Sequence, residues 1–174
     1  MPDFNVMLID YAKNNLIPPL ESIFKEADVN TVDKDGKTAL FYAIKNNNYD
    51  FIESLLKYGA KLNGTDFNLQ NFNGDSPLHY AVIQSRDSRN SDIITLLLQN
   101  EADINFRNNN GNTPLHYAVD IGNSDIIKLL LDRGADPNLL NEKGESPLHF
   151  AVIHSRNSRN SDIITLLLRN GADI

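Results

Sequence analysis

Three histidines recur in one setting, as Ser76-Pro77-Leu78-His79, Thr113-Pro114-Leu115-His116 and Ser146-Pro147-Leu148-His149. A hydroxyl beside an imidazole is raw material for nucleophilic catalysis, and several imidazoles together are raw material for a metal site. The spacing suits neither. The rings are 37 and 33 residues apart. On successive packed helices they would stand on the order of 10 Å apart, whereas metal ligands lie within about 2.1 Å of one ion. A shared metal is therefore not expected, and no other cofactor is. The serines suit caps and turns, the acids are scattered, and no glycine-rich phosphate loop is present. No base, nucleophile and oxyanion donors converge, so the chain is not read as an enzyme.

The other chemistry-bearing residues are two arginine pairs, Arg86 with Arg89 and Arg156 with Arg159, in the related stretches Ser85-Arg86-Asp87-Ser88-Arg89-Asn90 and Ser155-Arg156-Asn157-Ser158-Arg159-Asn160. Beyond simple solvation, such pairs suit an acidic or phosphorylated partner segment. The chain as a whole is acidic, with 16 basic against 23 acidic side chains and a net charge of −7, so binding to nucleic acid by phosphate neutralisation is not expected. Hydrophobic residues at 41% and charged ones at 22% are a globular balance, and 174 residues can bury a core. The lack of cysteine excludes disulfides and thiolate metal sites and suits an intracellular, cytoplasmic setting. The longest nearly apolar run, Ile93-Ile94-Thr95-Leu96-Leu97-Leu98, is too short to cross a bilayer. The start, Met1-Pro2-Asp3-Phe4, is not read as a secretory signal, so the sequon Asn63-Gly64-Thr65 is not expected to carry a glycan.

What positions the histidines is a repeat. Gly74-Asp75-Ser76-Pro77-Leu78-His79-Tyr80-Ala81 returns as Gly111-Asn112-Thr113-Pro114-Leu115-His116-Tyr117-Ala118 and as Gly144-Glu145-Ser146-Pro147-Leu148-His149-Phe150-Ala151, with a weaker copy at Gly36-Lys37-Thr38-Ala39-Leu40-Phe41-Tyr42-Ala43. The glycines lie 38, 37 and 33 residues apart, which reads as a period of 33 with insertions of 5 and 4. Each Thr or Ser before proline reads as a helix N-cap, with proline at the first helical position where a missing N–H costs nothing. Leu115, Ala118 and Val119 then make a short apolar stripe. A second helix is read from a cap at Ser124 through Ile126, Ile127, Leu129, Leu130 and Leu131 to Gly134, which should take a left-handed conformation. That helix is apolar on more than one face and must be covered from two sides by neighbouring copies.

These motifs resemble the ankyrin repeat, whose T-P-L-H-x-A signature stands at residues 113–118 and, with Ser for Thr, at 76–81 and 146–151. The leucine run ending in Gly134-Ala135-Asp136-Pro137-Asn138 matches the second half of the unit. The resemblance implies an all-α repeat solenoid of stacked helix pairs joined by β-hairpin loops. About five units are expected: a divergent capping unit at 1–32, units at 33–70 with a hairpin insertion, 71–107 with an inter-helix insertion, and 108–140, and a last one at 141–174 with a second inter-helix insertion. Family members bind partner proteins through hairpin tips and the concave inner-helix face. Carried over, the partner-binding positions are Phe72, Asn73, Asp75, Ile83, Asn109, Asn110, Asn112, Asp120, Ile121, Glu142, Lys143, Glu145 and Ile153. The lesser candidates are Lys34, Asp35, Lys37 and Lys45. Phe72, Ile83, Ile121 and Ile153 are apolar where surface is expected, as a binding cluster would be. The implied function is a protein-interaction module. The alternative is the targeting arm of a longer enzyme, or of an effector from an intracellular parasite or symbiont that would act in host cytoplasm.

Glu101 stands where the other copies have Gly59, Gly134 and Gly171, so either it takes a left-handed backbone or that helix ends differently. Residues 76–104 and 146–174 agree at 24 of 29 positions, so the last unit has the side chains of an interior one. Without a polar cap its outer face is expected to be uncovered. Either the natural protein continues beyond Ile174, or two copies associate there. The many asparagines have no assigned role at this level.

Overall fold

The computed structural model describes residues 3–16, 21–62, 74–85, 90–153 and 159–174, and the side chains of 21, 22, 90, 159 and 160 lie outside that description. Within it are ten helices: α1 (Phe4–Lys13), α2 (Glu21–Glu26), α3 (Ala39–Lys45), α4 (Tyr49–Lys57), α5 (Pro77–Ile83), α6 (Asn90–Gln99), α7 (Pro114–Ile121), α8 (Ser124–Asp132), α9 (Pro147–Ile153) and α10 (Arg159–Arg169). They pair as α1 with α2, α3 with α4, and so on to α9 with α10. The first helices form one row in which α1 packs on α3, α3 on α5, α5 on α7 and α7 on α9. Among the described residues there is no strand, only an isolated antiparallel bridge between Val32 and Thr38. The fold is an all-α ankyrin solenoid.

Local chemistry sets each helix pair. The Thr38 and Ser76 hydroxyls accept from the backbone N–H three residues on, at 3.2 and 3.4 Å. Losing such a cap costs about 1 kcal/mol. The second helices start one residue earlier than expected at α8. Its cap is Asn123, whose carboxamide oxygen accepts from Ile126 N at 3.2 Å, and Ser124 is the first helical residue. Asn48 caps α4 in the same way through Phe51 N at 3.1 Å.

The helix ends resolve the question raised by Glu101. After α8, Gly134 lies at φ +92°, and the N–H groups of Gly134 and Ala135 donate to Leu131 and Leu130 carbonyls, both at 3.0 Å. After α6, Glu101 lies at φ +67° and makes the same pair of bonds with Ala102 to Leu98 and Leu97, at 3.2 and 3.0 Å. The termination is unchanged, and Glu101 carries the cost of a left-handed L residue.

The core runs without a break along the stack. Leu8, Ile23, Leu40, Ile44, Phe51, Ile52, Leu55, Leu78, Ile94, Leu97, Leu115 and Ile127 are each under 2% exposed or at that limit. In the first unit Leu8, Ile9, Ala12, Ile23 and Phe24 are buried, and Phe4 and Tyr11 are half-buried against them. Leu20 and residues 65–71 of the hairpin insertion lie outside the described residues, as does most of both inter-helix insertions.

Much of the coupling between units is by asparagine. The Asn30 carboxamide accepts from Lys61 N at 2.9 Å and donates to Gly59 O at 3.2 Å. Asn105 accepts from Asp136 N at 2.9 Å, and Asn138 accepts from Asp173 N and donates to Gly171 O at 2.8 and 2.9 Å. Each bond reaches 29 to 35 residues along the chain, so one unit's loop fixes the next.

Candidate partner-binding surface

Among the described residues three hairpins each turn around one side chain. Asp33, Asn108 and Asn141 each accept two backbone N–H bonds across the turn: from Asp35 and Lys37, from Asn110 and Asn112, and from Lys143 and Glu145, all between 2.9 and 3.0 Å. This presents the tip residues Asn109, Asn110, Glu142 and Lys143 to solvent. Gly111 closes its hairpin at φ +73°, and a Cβ there would stand 2.8 Å from both Glu142 N and Arg107 Nη2, so the neighbouring hairpin needs glycine at that point. Arg107 reaches over to Leu140 O at 2.9 Å and to the Glu142 carboxylate at 3.3 Å. That ion pair is exposed and adds little stability.

The histidines tie hairpin to helix and unit to unit. Nδ1 of His79 accepts from Ser76 N at 3.1 Å, which leaves the ring proton on Nε2 to donate to Asn112 O in the next unit at 2.9 Å. His116 repeats this with Thr113 N and Glu145 O, both at 3.1 Å. Burial pushes both imidazoles below their ordinary pKa, outweighing the carbonyls that favour the charged ring. Rings of the following unit stand edge-on to them: Tyr117 at 5.7 Å from His79 and Phe150 at 5.2 Å from His116. Among the described residues no three His, Asp or Glu side chains are grouped to hold a metal.

Between α7 and α9 the row of first helices opens into a cleft of about 380 Å³ lined by Asn112, His116, Tyr117, Asp120, Lys143, Glu145, Phe150 and Ile153. Five of these are expected partner-binding residues. Asp120, Lys143 and Ile153 are exposed, whereas Asn112 and Glu145 are half-buried and already bonded to Asn141, at 3.0 and 3.1 Å. Tyr117 is held by Asn108, whose amide donates to its hydroxyl at 3.0 Å. Burial, and then the neighbouring Asp75 carboxylate, push Tyr117 up to about 12.

Three expected contact residues are placed differently. Asp75 is 4% exposed and accepts from Asn108 Nδ2 at 2.6 Å, so it holds the adjacent hairpin and does not face a partner. Ile121 and Ile83 are half-buried, and Ile121 packs against the core. Phe72, Asn73, Arg86, Arg89 and Arg156 lie outside the described residues, and Arg159 begins α10 with its side chain outside the description. Tyr117, Phe150 and the turn-centre asparagines Asn108 and Asn141 are not among the residues the sequence singles out. The signal for the rings was present: an aromatic follows the histidine in every full copy, as His79-Tyr80, His116-Tyr117 and His149-Phe150.

At the other end of the molecule Asp33 is the centre of a polar cluster, 2.7 Å from Lys13 Nζ and accepting the Tyr42 hydroxyl at 2.8 Å. Burial opposes its charge, but Lys13, the Lys37 and Asp35 N–H groups and Tyr42 outweigh it and hold the carboxyl well below the usual carboxylate range. Burial and Asp33 push Tyr42 up to about 12.

Coupled helix pairs that present hairpin tips and a side-chain cleft are the build of a protein-interaction scaffold. The family comparison agrees: a family model described as ankyrin repeats (3 copies) matches residues 8–108 and 84–174. The chain belongs to the ankyrin-repeat family. It is similar to an IkB-like protein of African swine fever virus, 42% identical over 62 residues, 36% of this chain and 26% of that protein. It is also similar to a putative ankyrin repeat protein of Rickettsia bellii, 44% identical over 84 residues, 48% of this chain and 44% of that one. The matched stretches thus cover from about a quarter to under half of these relatives. No helix among the described residues is long and apolar enough to cross a membrane.

Proposed function

We propose that this chain binds a partner protein through its hairpin tips and inner-helix face, with the α7–α9 cleft at the centre, and that it performs no chemistry of its own. The observation that carries this is the cleft itself. Successive units contribute Tyr117, Asp120, Lys143, Phe150 and Ile153 to one recess, mixing aromatic, apolar and charged groups as protein contact surfaces do. The five-unit division at 1–32, 33–70, 71–107, 108–140 and 141–174 belongs to the same proposal, as does an intracellular site of action.

A photo-crosslinking side chain placed at Asn110 or Lys143 tests it in the native cell, with Lys128 on the exposed side of α8 as the comparison. A defined protein adduct from the first two positions and none from Lys128 is the expected result. Adducts confined to Lys128 would contradict the reading. Ile121→Asp is unsuitable as a surface probe because Ile121 packs on the core. Asp120→Lys is the better choice, since Asp120 is exposed in the cleft.

A second reading is favoured by where the relatives occur, a virus and Rickettsia bellii, and by how little of them is matched. In it the array is the targeting arm of a longer protein that acts in a host cell. The mass of the native product separates the two: a product of the present length supports the stand-alone binder.

A further inference from the structure

Resting on the partner-binding role proposed above, we infer that the α7–α9 cleft receives an arginine side chain of the partner protein, with the guanidinium against the Tyr117 and Phe150 rings and the Asp120 and Glu145 carboxylates as its acceptors. These groups come from two units. Tyr117 and Asp120 lie three residues apart on α7 and so share a face, Phe150 lies on α9, and Glu145 enters from the hairpin that precedes α9. The rings and Glu145 are already held in place. Asn108 donates to the Tyr117 hydroxyl at 3.0 Å, the Phe150 ring stands edge-on to His116 at 5.2 Å, and one Glu145 oxygen accepts from Asn141 Nδ2 at 3.1 Å. A carboxylate accepts several hydrogen bonds, so this one orients Glu145 and leaves it able to accept more.

The charge around the cleft selects a cation. Besides Asp120 and Glu145, the Asp75 carboxylate lies behind Tyr117, 4% exposed and accepting at 2.6 Å from the same Asn108 amide that holds the phenol. Against these acids the cleft lining carries one amine, Lys143, and nearby Arg107 is matched by Glu142 at 3.3 Å. His116 adds no cation, since its Nε2 donates to Glu145 O at 3.1 Å and burial keeps the ring neutral. The local balance is therefore negative, in the same sense as the net charge of −7, and a partly enclosed recess focuses that field. Ring faces attract cations, and carboxylates take parallel N–H bonds from a guanidinium. A planar guanidinium with five donors uses both at once, where a compact, strongly hydrated ammonium does so less well. An acidic segment would meet one amine amid those carboxylates.

NMR titration of the full chain tests this with capped tripeptides in which glycines flank arginine, lysine, citrulline or glutamate, citrulline keeping the shape of arginine without its charge. The expected result is saturable shifts at Tyr117, Asp120 and Phe150 with the arginine peptide, weaker binding with lysine, and none with citrulline or glutamate. Asp120→Lys should weaken arginine binding by about tenfold. Lys143→Glu should strengthen it by about threefold, whereas Asp132→Lys, the same charge change at an exposed position of α8, should leave it unaltered. Asp120 and Lys143 are exposed, and circular dichroism verifies that the variants fold. The absence of saturable shifts overturns the inference, as does a lysine, citrulline or glutamate peptide that binds as well as arginine, or a loss in Asp132→Lys equal to that in Asp120→Lys. Crosslinked adducts at Asn110 or Lys143 alongside unmoved cleft resonances would overturn it and leave the partner-binding role standing.

Discussion

At the first unit, α1 is fastened by polar groups. Lys13 pairs with Asp33 at 2.7 Å, Tyr42 donates to the same carboxylate at 2.8 Å, and Asn46 reaches back to Ala12 O at 2.9 Å. At the last unit the sequence is that of an interior copy, and Val152, Leu168 and Ile174 face outward where their counterparts are covered. The contrast is between a polar junction and an apolar face: α1 is held to the second unit by charge and hydrogen bonds, whereas α9 and α10 present side chains that the inner units pack against one another.

Several substitutions would break or sharpen that contrast. The largest effect belongs to the covered interior: Ile127→Ala, at a fully buried site, is expected to cost about 2–5 kcal/mol in urea unfolding. Val152→Ala, at a position 55% exposed, should stay within about 0.5 kcal/mol. Next comes the polar cluster. Asp33→Asn keeps an oxygen for the Asp35 and Lys37 N–H groups, as Asn108 and Asn141 do in their hairpins, but loses the charge opposite Lys13, so it should cost about 1 kcal/mol at neutral pH.

Acidity separates the same regions. His79 and His116 have lowered pKa values, so their contribution is complete above about pH 6.5 and is lost as pH falls through their folded values. Asp33, also lowered, contributes fully above about pH 3.9 and is lost only in stronger acid. Urea midpoints measured against pH should therefore decline in two stages, and Asp33→Asn should remove part of the second while leaving the first. A single acid stage, unchanged in that variant, would contradict the assignment. The last expected effect is a gain: Glu101→Gly should stabilise by about 1 kcal/mol by removing left-handed strain, a change readable as a higher midpoint with an unchanged slope.

The helix pairs, their hydroxyl caps and the Gly134 terminus are legible in the sequence, because each depends on residues within one or two turns. What it hid was contact across units. Asn30, Asn105 and Asn138 bond to backbone about a repeat away, and nothing local distinguishes such an asparagine from one that merely faces water. Asp75 was read as a hairpin-tip contact for the same reason, since the residue that buries it, Asn108, is 33 positions on. Ser124 reads as a cap because hydroxyls cap the first helices, whereas α4 and α8 use the preceding Asn48 and Asn123. The cleft was half visible. Its charged rim followed from family positions, and its aromatic walls, Tyr117 and Phe150, did not.

The most direct measurement of whether each unit is coupled to the one before it is nitrogen-resolved NMR of the imidazoles in dilute solution. His79 and His116 should be Nε2–H tautomers whose ring protons exchange slowly, because each donates to a carbonyl of the following unit, and the Nε2–H of His149 should exchange rapidly with water. Rapid exchange at His79 and His116, or protonation of their Nδ1 atoms in the neutral ring, would contradict the coupling of the stack.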